Sequence, residues 1–342
     1  MISIPVTRLR RIGIDIFKAQ GVRDEDAEFL VETLLEANLT GHDSHGVQYY
    51  PRYSERIQQG FIKVKNEPII IKETSSTAYI DGNWALGQKT AMKLTEIVVD
   101  KARENMVAAA GAYNCNHIGR IGYYTEWAAK NDIITTFYVN VGHPSVSVYN
   151  GLGKTFGTNP YSVSVPTSGD SPFLVDYATS VVAAGKVSVA KSKKAKIPDH
   201  WIRDKYGRVT NDPFDLGEGG WLLPFGDYKG YGLQMICEIL GAVLTGSRTG
   251  FEGIQEPPSP NGIFMFGLNP DAFIGLEKFK ENTSELLANV KKSPAEAGKR
   301  ILVPGEPERE SKSERLKKGI PVPEETWNQI LNLCDKLKVK TT

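Results

Sequence analysis

A mixed α/β fold is predicted by three observations: a helical period that runs through the first sixty residues, short β-rich runs that begin after Gly60, and an alternation of helical and strand patterns from there to the C-terminus. At 342 residues the chain is long enough for two domains, or for one large domain with an elaborated periphery.

Leu9, Ile12, Ile16 and Phe17 fall on one stripe of a first helix. After Gly21 the acidic run Asp24-Glu25-Asp26 suits the N-terminus of a second, whose period continues through Ala27, Leu30, Val31, Leu34, Leu35 and Asn38. The segment Gly41-His42-Asp43-Ser44-His45-Gly46 lies where that helix ends and a third, over residues 47–59, begins. Residues 68–71 and 78–80 read as short strands, closed by the turn chemistry of Asp81-Gly82-Asn83. An amphipathic helix over 88–105, a strand of small residues over 107–112, a helix over 122–131 and a strand over 133–139 follow. Residues 142–166 are rich in Gly, Pro, Ser and Thr and read as a long loop that either approaches a ligand or merely connects. Beyond it Phe173-Leu174-Val175 is a strand, Thr179-Ser180 can open a short helix ending near Gly185, and 197–221 is irregular. A helix over 229–244 shows an apolar face of Leu233, Ile236, Cys237, Leu240 and Val243. Three prolines in 255–261 suggest a surface crossing or a dimer contact; a strand (263–268), a helix (276–290) and two polar helices ending near Lys338 complete the chain.

Forty-one basic residues against forty acidic ones leave a net charge of +1, without a long basic tract, so nucleic-acid binding has no electrostatic support. The run Lys191-Ser192-Lys193-Lys194-Ala195-Lys196 reads as a solvated loop face. Cys115, Cys237 and Cys334 are odd in number and lack CxxC spacing, which argues against a disulfide framework or a thiolate zinc site; no metal is expected. No basic n-region precedes an apolar core at the start, and no window approaches a membrane span, so the expected address is the cytoplasm.

Only five histidines occur, and two of them stand within four positions at His42 and His45, beside Asp43 and Ser44. Imidazole titrates near neutrality, and a neighbouring carboxylate or hydroxyl fixes its tautomer, so the segment is a candidate acid/base centre. A helix-terminus histidine satisfied by Asp43 is the plain alternative. A Ser-His hydrolase is weaker: adjacent side chains diverge unless the backbone turns sharply, and there is no GxSxG elbow. Gly153-Lys154-Thr155 lacks the phosphate-loop glycine, since Val148 stands there, and no GxGxxG follows an early strand, so any nicotinamide cofactor needs another scaffold. His117-Ile118-Gly119-Arg120-Ile121-Gly122 joins a strand end to a helix start, where free backbone N–H groups and an arginine favour anions. Asp227-Tyr228-Lys229-Gly230 places a cation at a helix N-terminus, against the helix dipole, which suits phosphate or carboxylate.

Six segments, in order along nearly the whole chain, resemble the malate/L-lactate dehydrogenase family that is unrelated to Rossmann-type enzymes: Gly41 to Val47, His117 to Tyr123, Phe156-Gly157-Thr158-Asn159-Pro160, Asp176-Tyr177-Ala178-Thr179-Ser180, Lys229-Gly230-Tyr231 and Leu302-Val303-Pro304-Gly305-Glu306. Ureidoglycolate dehydrogenase, sulfolactate dehydrogenase and piperideine-2-carboxylate reductase belong to the same family. The resemblance implies a non-Rossmann NAD(P)-binding domain with a largely antiparallel sheet (76–294) and a helical domain built from both termini (1–75 with 295–342), paired as a homodimer. It implies oxidation of a small 2-hydroxy acid, or reduction of the 2-oxo acid, with NAD favoured over NADP. His45 would exchange the proton, oriented by Ser44 and Asp176, with His117 as a second candidate. The cofactor would touch His45, Gly119, Arg120, Ile121, Val175, Asp176, Tyr177, Ala178, Tyr228, Lys229, Asn261, Pro304, Gly305, Glu306 and Pro307. Tyr49, Arg52 and Thr158 would face the substrate. Two positions depart from the pattern: close relatives have His where Tyr228 stands, and many members have an arginine where Tyr49 stands. Arg52, Arg120 and Lys186 are the possible partners for the substrate carboxylate, and Tyr49 suggests a bulkier or aromatic substrate. A reductase of cyclic imino acids and a non-catalytic binding module on the same scaffold are the competing readings.

Overall fold

The apolar stripes of the N-terminal helices close on one another and on the far end of the chain. The computed structural model describes residues 1–192, 194–252 and 260–341. Strand β1 (Ile2–Ile4), helix α1 (Val6–Lys18), helix α2 (Asp24–Leu39) and helix α3 (Tyr49–Gln58) form the N-terminal part. The sheet region contains β2 (Ile69–Glu73), β3 (Thr77–Asp81), α4 (Gly87–Asn105), β4 (Val107–Cys115), α5 (Gly122–Lys130), β5 (Ile134–Val141), β6 (Tyr161–Val165) and β7 (Phe173–Tyr177). After α6 (Ala184–Ser192) come three two-residue strands, β8 (Ile202–Arg203), β9 (Val209–Thr210) and β10 (Trp221–Leu222), then α7 (Tyr228–Glu238), which runs into a π-helical turn (Ile239–Val243). Strand β11 (Asn261–Leu268), α8 (Leu276–Lys291), α9 (Glu306–Lys318), β12 (Ile320–Val322) and α10 (Glu324–Leu337) finish the chain.

One hydrophobic cluster joins Leu9, Ile12, Ile16, Leu30, Leu34 and Tyr50 to Ile320, Trp327, Ile330 and Leu333, and β1 pairs antiparallel with β12, so the two termini share a core. Helix α2 lies at its centre, touching α1, α4, α5 and α9. Its buried charges are paired, Asp26 with Arg23 and Lys89 and Glu36 with Lys312, which offsets the cost of desolvating them. The main sheet has seven strands in the order β2-β3-β4-β11-β5-β6-β7, and β3–β4 is its one parallel pair. The largely antiparallel sheet that the resemblance implied is therefore present. Small residues at Ala108, Ala110 and Ala112 let α4 pack closely on β4.

Three local expectations change. The loop expected over 142–166 contains β6, which its neighbours β5 and β7 hold in register. No helix opens at Thr179-Ser180, because the Thr179 N–H and hydroxyl both donate to the Thr158 carbonyl and keep the segment extended. The expected apolar face of α7 is only partly inward: Cys237 is buried, but Ile236 and Val243 are exposed, and the polar Gln234 and Glu238 are buried beside Cys237. Gln234 donates to the Gly157 carbonyl, and Glu238 accepts from Asn140 and Asn159, so polar side chains on the inner face satisfy the 157–159 loop. Of the proline-containing stretch 255–261, residues 255–259 lie outside the described residues, as does Lys193 of the basic run. The three cysteines are buried free thiols, and among the described residues no helix is long and apolar enough to cross a membrane.

Candidate active site

Beyond the end of α2 the Gly41 to Gly46 segment is fixed from two sides. Arg315 of α9 grips Asp43 with both arms, Nη1 to Oδ1 at 2.6 Å and Nη2 to Oδ2 at 3.0 Å. Asn38 donates to Asp43 Oδ1 at 2.6 Å and accepts from the Val47 N–H at 2.8 Å. A side chain at Gly46 would collide with it, since a Cβ there would lie 2.0 Å from Asn38 Oδ1. Held this way, residues Asp43–His45 form a 3-10 turn that folds adjacent side chains together, and Ser44 Oγ lies 3.0 Å from His45 Nδ1. The divergence expected of neighbours is overridden by that turn. Asp43 is committed to Arg315, so the hydroxyl, not that carboxylate, meets the His45 ring.

His117 enters from the loop between β4 and α5, and its ring lies parallel to that of His45, centroids 5.7 Å apart. Tyr49 and Tyr53, four residues apart and so on one face of α3, complete a ring cluster. Tyr49 stacks on His117 at 4.5 Å, with the Arg52 guanidinium 5.3 Å from the Tyr49 ring centroid. The Tyr53 hydroxyl lies 2.6 Å from His117 Nδ1, and Gln88 donates to that hydroxyl at 2.8 Å. Burial pushes the His45 pKa down to about 4, with the charges of His42, Arg120 and Arg52 adding and Asp176 opposing. His117 is held well below its ordinary range, first by burial and then by His45, Arg56 and Arg52.

Asp176, at the end of β7, does not hydrogen-bond His45; it acts on that ring through its charge. Its carboxylate lies 3.0 Å from Arg120 Nε and accepts the Gly122 N–H at 3.0 Å. Only glycine fits at 122, where a Cβ would lie 2.4 Å from Asp176 Oδ2. Arg120 is 4% exposed, yet Nη1 and Nη2 have no hydrogen-bond partner among the described residues. A buried guanidinium with unspent donors is costly by itself, and an arriving anion would offset that cost.

The remaining candidates divide. Val175, Asp176, Tyr177 and Ala178 form the end of β7 and the residue beyond it, and the Tyr177 ring meets Phe225 edge-on at 5.5 Å. The Phe225 N–H bonds the Thr179 carbonyl, which brings the start of α7, with Tyr228 and Lys229, beside that strand end. Tyr228 is 61% exposed and meets the ring of Tyr149; Lys229 is exposed on the first turn of α7 with no ion pair among the described residues. Pro304, Gly305, Glu306 and Pro307 lead into α9, with Gly305 against Leu174 of β7 and Glu306 accepting the Val303 N–H at 3.0 Å. One turn on, Glu308 meets His42 at 3.5 Å; burial opposes its ionisation, but the bond from His42 holds its carboxyl below the usual range. Gly119 and Ile121 are buried in the loop that carries Arg120. Asn261 is buried and spent, accepting the Ile118 N–H at 3.1 Å and donating to the Asn140 carbonyl at 3.2 Å, so it holds the His117 loop. Thr158 takes part through its backbone carbonyl, which Thr179 engages. Sequence reasoning missed Tyr53, Gln88, Arg315 and Glu308. Tyr53 alone carried a signal, its i+4 spacing from Tyr49.

The malate/L-lactate dehydrogenase family profile matches residues 4–331. Hydroxycarboxylate dehydrogenase B of Escherichia coli (strain K12) is 36% identical over 94% of this chain and 89% of its own. The solved sulfolactate dehydrogenase of Methanocaldococcus jannaschii superposes with a TM-score of 0.92 at 34% identity, covering 99% of this chain and 98% of its own. The delta1-piperideine-2-carboxylate reductase of Pseudomonas syringae superposes at 0.86 with 25% identity, covering 97% of this chain and 100% of its own. Profile, relatives and fold span the same residues that build the Ser44–His45–His117–Arg120 cluster, and the chain belongs to the malate/L-lactate dehydrogenase family.

Proposed function

We propose that this enzyme interconverts a small 2-hydroxy acid and its 2-oxo acid with a nicotinamide cofactor, His45 moving the proton and NAD serving as the carrier. The observation that carries this reading is the pairing of Ser44 Oγ with His45 Nδ1, which leaves Nε2 for substrate beside a buried arginine with unspent donors. The residues present suit the cofactor: Lys229 and the first turn of α7 offer a cation and a helix N-terminus to its phosphates, next to the end of β7. When bound, the nicotinamide supplies the hydride acceptor in oxidation and the donor in reduction.

In oxidation, neutral His45 takes the hydroxyl proton on Nε2 as C2 loses its hydride. The imidazolium so formed has Nδ1–H donating to Ser44 Oγ and lies in the field of Asp176. In reduction the same proton returns to the alkoxide oxygen. Arg120, with Nη1 and Nη2 unspent, is the proposed carboxylate clamp, and its pairing with Asp176 keeps the guanidinium in place. Tyr49, fixed between His117 and Arg52, offers a ring where other members carry a charge, so the substrate's side chain is proposed to be bulky or aromatic.

Nicotinamide absorbance followed with a panel of 2-oxo acids tests this. Turnover is expected, higher with NADH than NADPH, and higher with aryl than with dicarboxylic substrates. Faster turnover of malate than of phenyllactate-type acids would end the Tyr49 argument. Silence across both carriers and the whole panel, in folded protein, would favour a binding module. The structural likeness to the Pseudomonas reductase supports a second reading, hydride addition to the C=N of a cyclic imino acid, which the same assay distinguishes by substrate.

Three unpaired buried cysteines suit a reducing compartment and support a cytoplasmic address. The apolar outer face of α7 supports a homodimer.

A further inference from the structure

His117 is half-buried and sits in a network that the proton transfer does not use. Its ring has two nitrogens and, being neutral, one proton. Tyr53 reaches Nδ1 at 2.6 Å, and Gln88 reaches the Tyr53 hydroxyl with an amide N–H at 2.8 Å. A phenol has one proton to give. With its oxygen receiving from Gln88, the Tyr53 proton has two acceptors in reach, Nδ1 at 2.6 Å and the His117 carbonyl at 3.4 Å; it is directed to the much nearer Nδ1, which then accepts and carries none. The His117 proton therefore sits on Nε2. The Tyr49 hydroxyl oxygen lies 3.3 Å from Nε2, but the two rings are stacked within 10° of parallel. A ring N–H points in its own plane, and an oxygen carried by a stacked ring lies off that plane, so this contact takes little of the donor. Nε2–H is left to be used by something else.

We infer that Gln88 and Tyr53 are positioning residues that fix His117 in its Nε2–H form, making it a neutral hydrogen-bond donor to an oxygen of the 2-oxo acid beside His45. This rests on the proposed 2-hydroxy acid chemistry for the identity of the oxygen, but not for the tautomer. The two stacked imidazoles then have separate tasks: His45 exchanges a proton, whereas His117 polarises an oxygen without transferring one. A neutral imidazole that donates from Nε2 would have to become an anion to act as an acid, and burial among aromatic rings makes that costly.

The nitrogen-15 spectrum of labelled protein at pH 7.5 reads the tautomer directly, with the His117 signals assigned as those missing from His117→Asn. The expected spectrum shows an unprotonated Nδ1 and a protonated Nε2. A protonated Nδ1 in the wild-type protein would overturn the inference, and that result needs no variant to fold. Gln88→Glu should reverse the chain, because a carboxylate takes the Tyr53 proton and Nδ1 must then donate. Tyr53→Phe removes the donor altogether. Gln88→Glu should move His117 toward Nδ1–H, and both variants should raise KM for the 2-oxo acid about tenfold, with carrier affinity unchanged. An unaltered tautomer in Gln88→Glu, with circular dichroism showing it folded, would also overturn it. If instead the tautomer is as expected and no 2-oxo acid is turned over, the functional reading fails and the relay stands.

Discussion

Whether His45 serves better as base or acid is set by the company its ring keeps. Burial and the nearby cations hold its pKa at about 4, so the free enzyme carries it neutral at pH 7, ready to accept a proton. The sign follows: kcat/KM for oxidation should rise through about pH 4 and stay level above it, while kcat/KM for reduction, which needs the imidazolium, should fall as pH rises beyond that point. A bound substrate carboxylate favours the charged ring, so the corresponding edge in kcat should lie at higher pH. Initial-rate profiles in both directions check this; an oxidation edge at the ordinary histidine value would show that the site is wetter than its geometry indicates. A companion measurement concerns His45→Ala. Carrier binding by fluorescence titration should stay within a few-fold, and turnover should fall by about a thousandfold or more, the upper part of the range for a positioned acid/base. Retained turnover would transfer the proton role to His117.

Loop and helix act together at the level of elements: α9 holds the Asp43–His45 turn through Arg315 and Asp43, residues 272 positions apart. Arg315→Ala would release Asp43 and loosen the Ser44–His45 pair. The bidentate contact is partly exposed, so the stability loss should be modest, about 1–3 kcal/mol from the denaturant midpoint. The drop in kcat should exceed what that instability explains, because a small displacement of a positioned group costs much more in rate than in folding. Equal kcat in variant and wild type would show that the turn holds itself. This pairing also marks the limit of what the sequence shows. The helical stripes of α1, α2 and α4 and the density of titratable groups at 42–45 are local patterns, written within a few residues of each other, and were legible; the turn that folds Ser44 onto His45 was not. The grip of Arg315 on Asp43, the bond of Gln88 to Tyr53 and the polar inner face of α7 depend on partners distant in sequence. Nothing in α7 itself announces that Gln234 and Glu238 turn inward; that follows from the needs of the 157–159 loop. Thr179, similarly, has the composition of a helix cap and is instead drawn into a strand-like path by the Thr158 carbonyl.

For the whole molecule, the question is which surface a second copy would cover. Among the exposed apolar side chains of the described residues, two rows along single elements can be weighed. Ile69, Ile70 and Ile71 stand on the edge strand β2, but Lys72 and Glu73 share that strand and its pairing slips between Ile70 and Lys72, features that discourage edge-to-edge association. Ile236, Ile239, Val243 and Leu244 lie along α7 and its π-helical continuation, where the one charged residue of the stretch, Glu238, points inward. A single chain gains nothing by exposing that row while burying polar groups behind it, whereas a twofold-related copy would cover it with the same residues. The α7 face is therefore the predicted homodimer contact. Ile239→Glu with Val243→Glu places two charges at its centre and leaves the inner face untouched, so the fold should survive while association is lost. Sedimentation velocity at micromolar concentration should show a dimer for the wild type and a monomer for the double variant, with unchanged circular dichroism. A dimer in both would move the interface elsewhere, and a wild-type monomer at that concentration would remove the dimer from the functional reading.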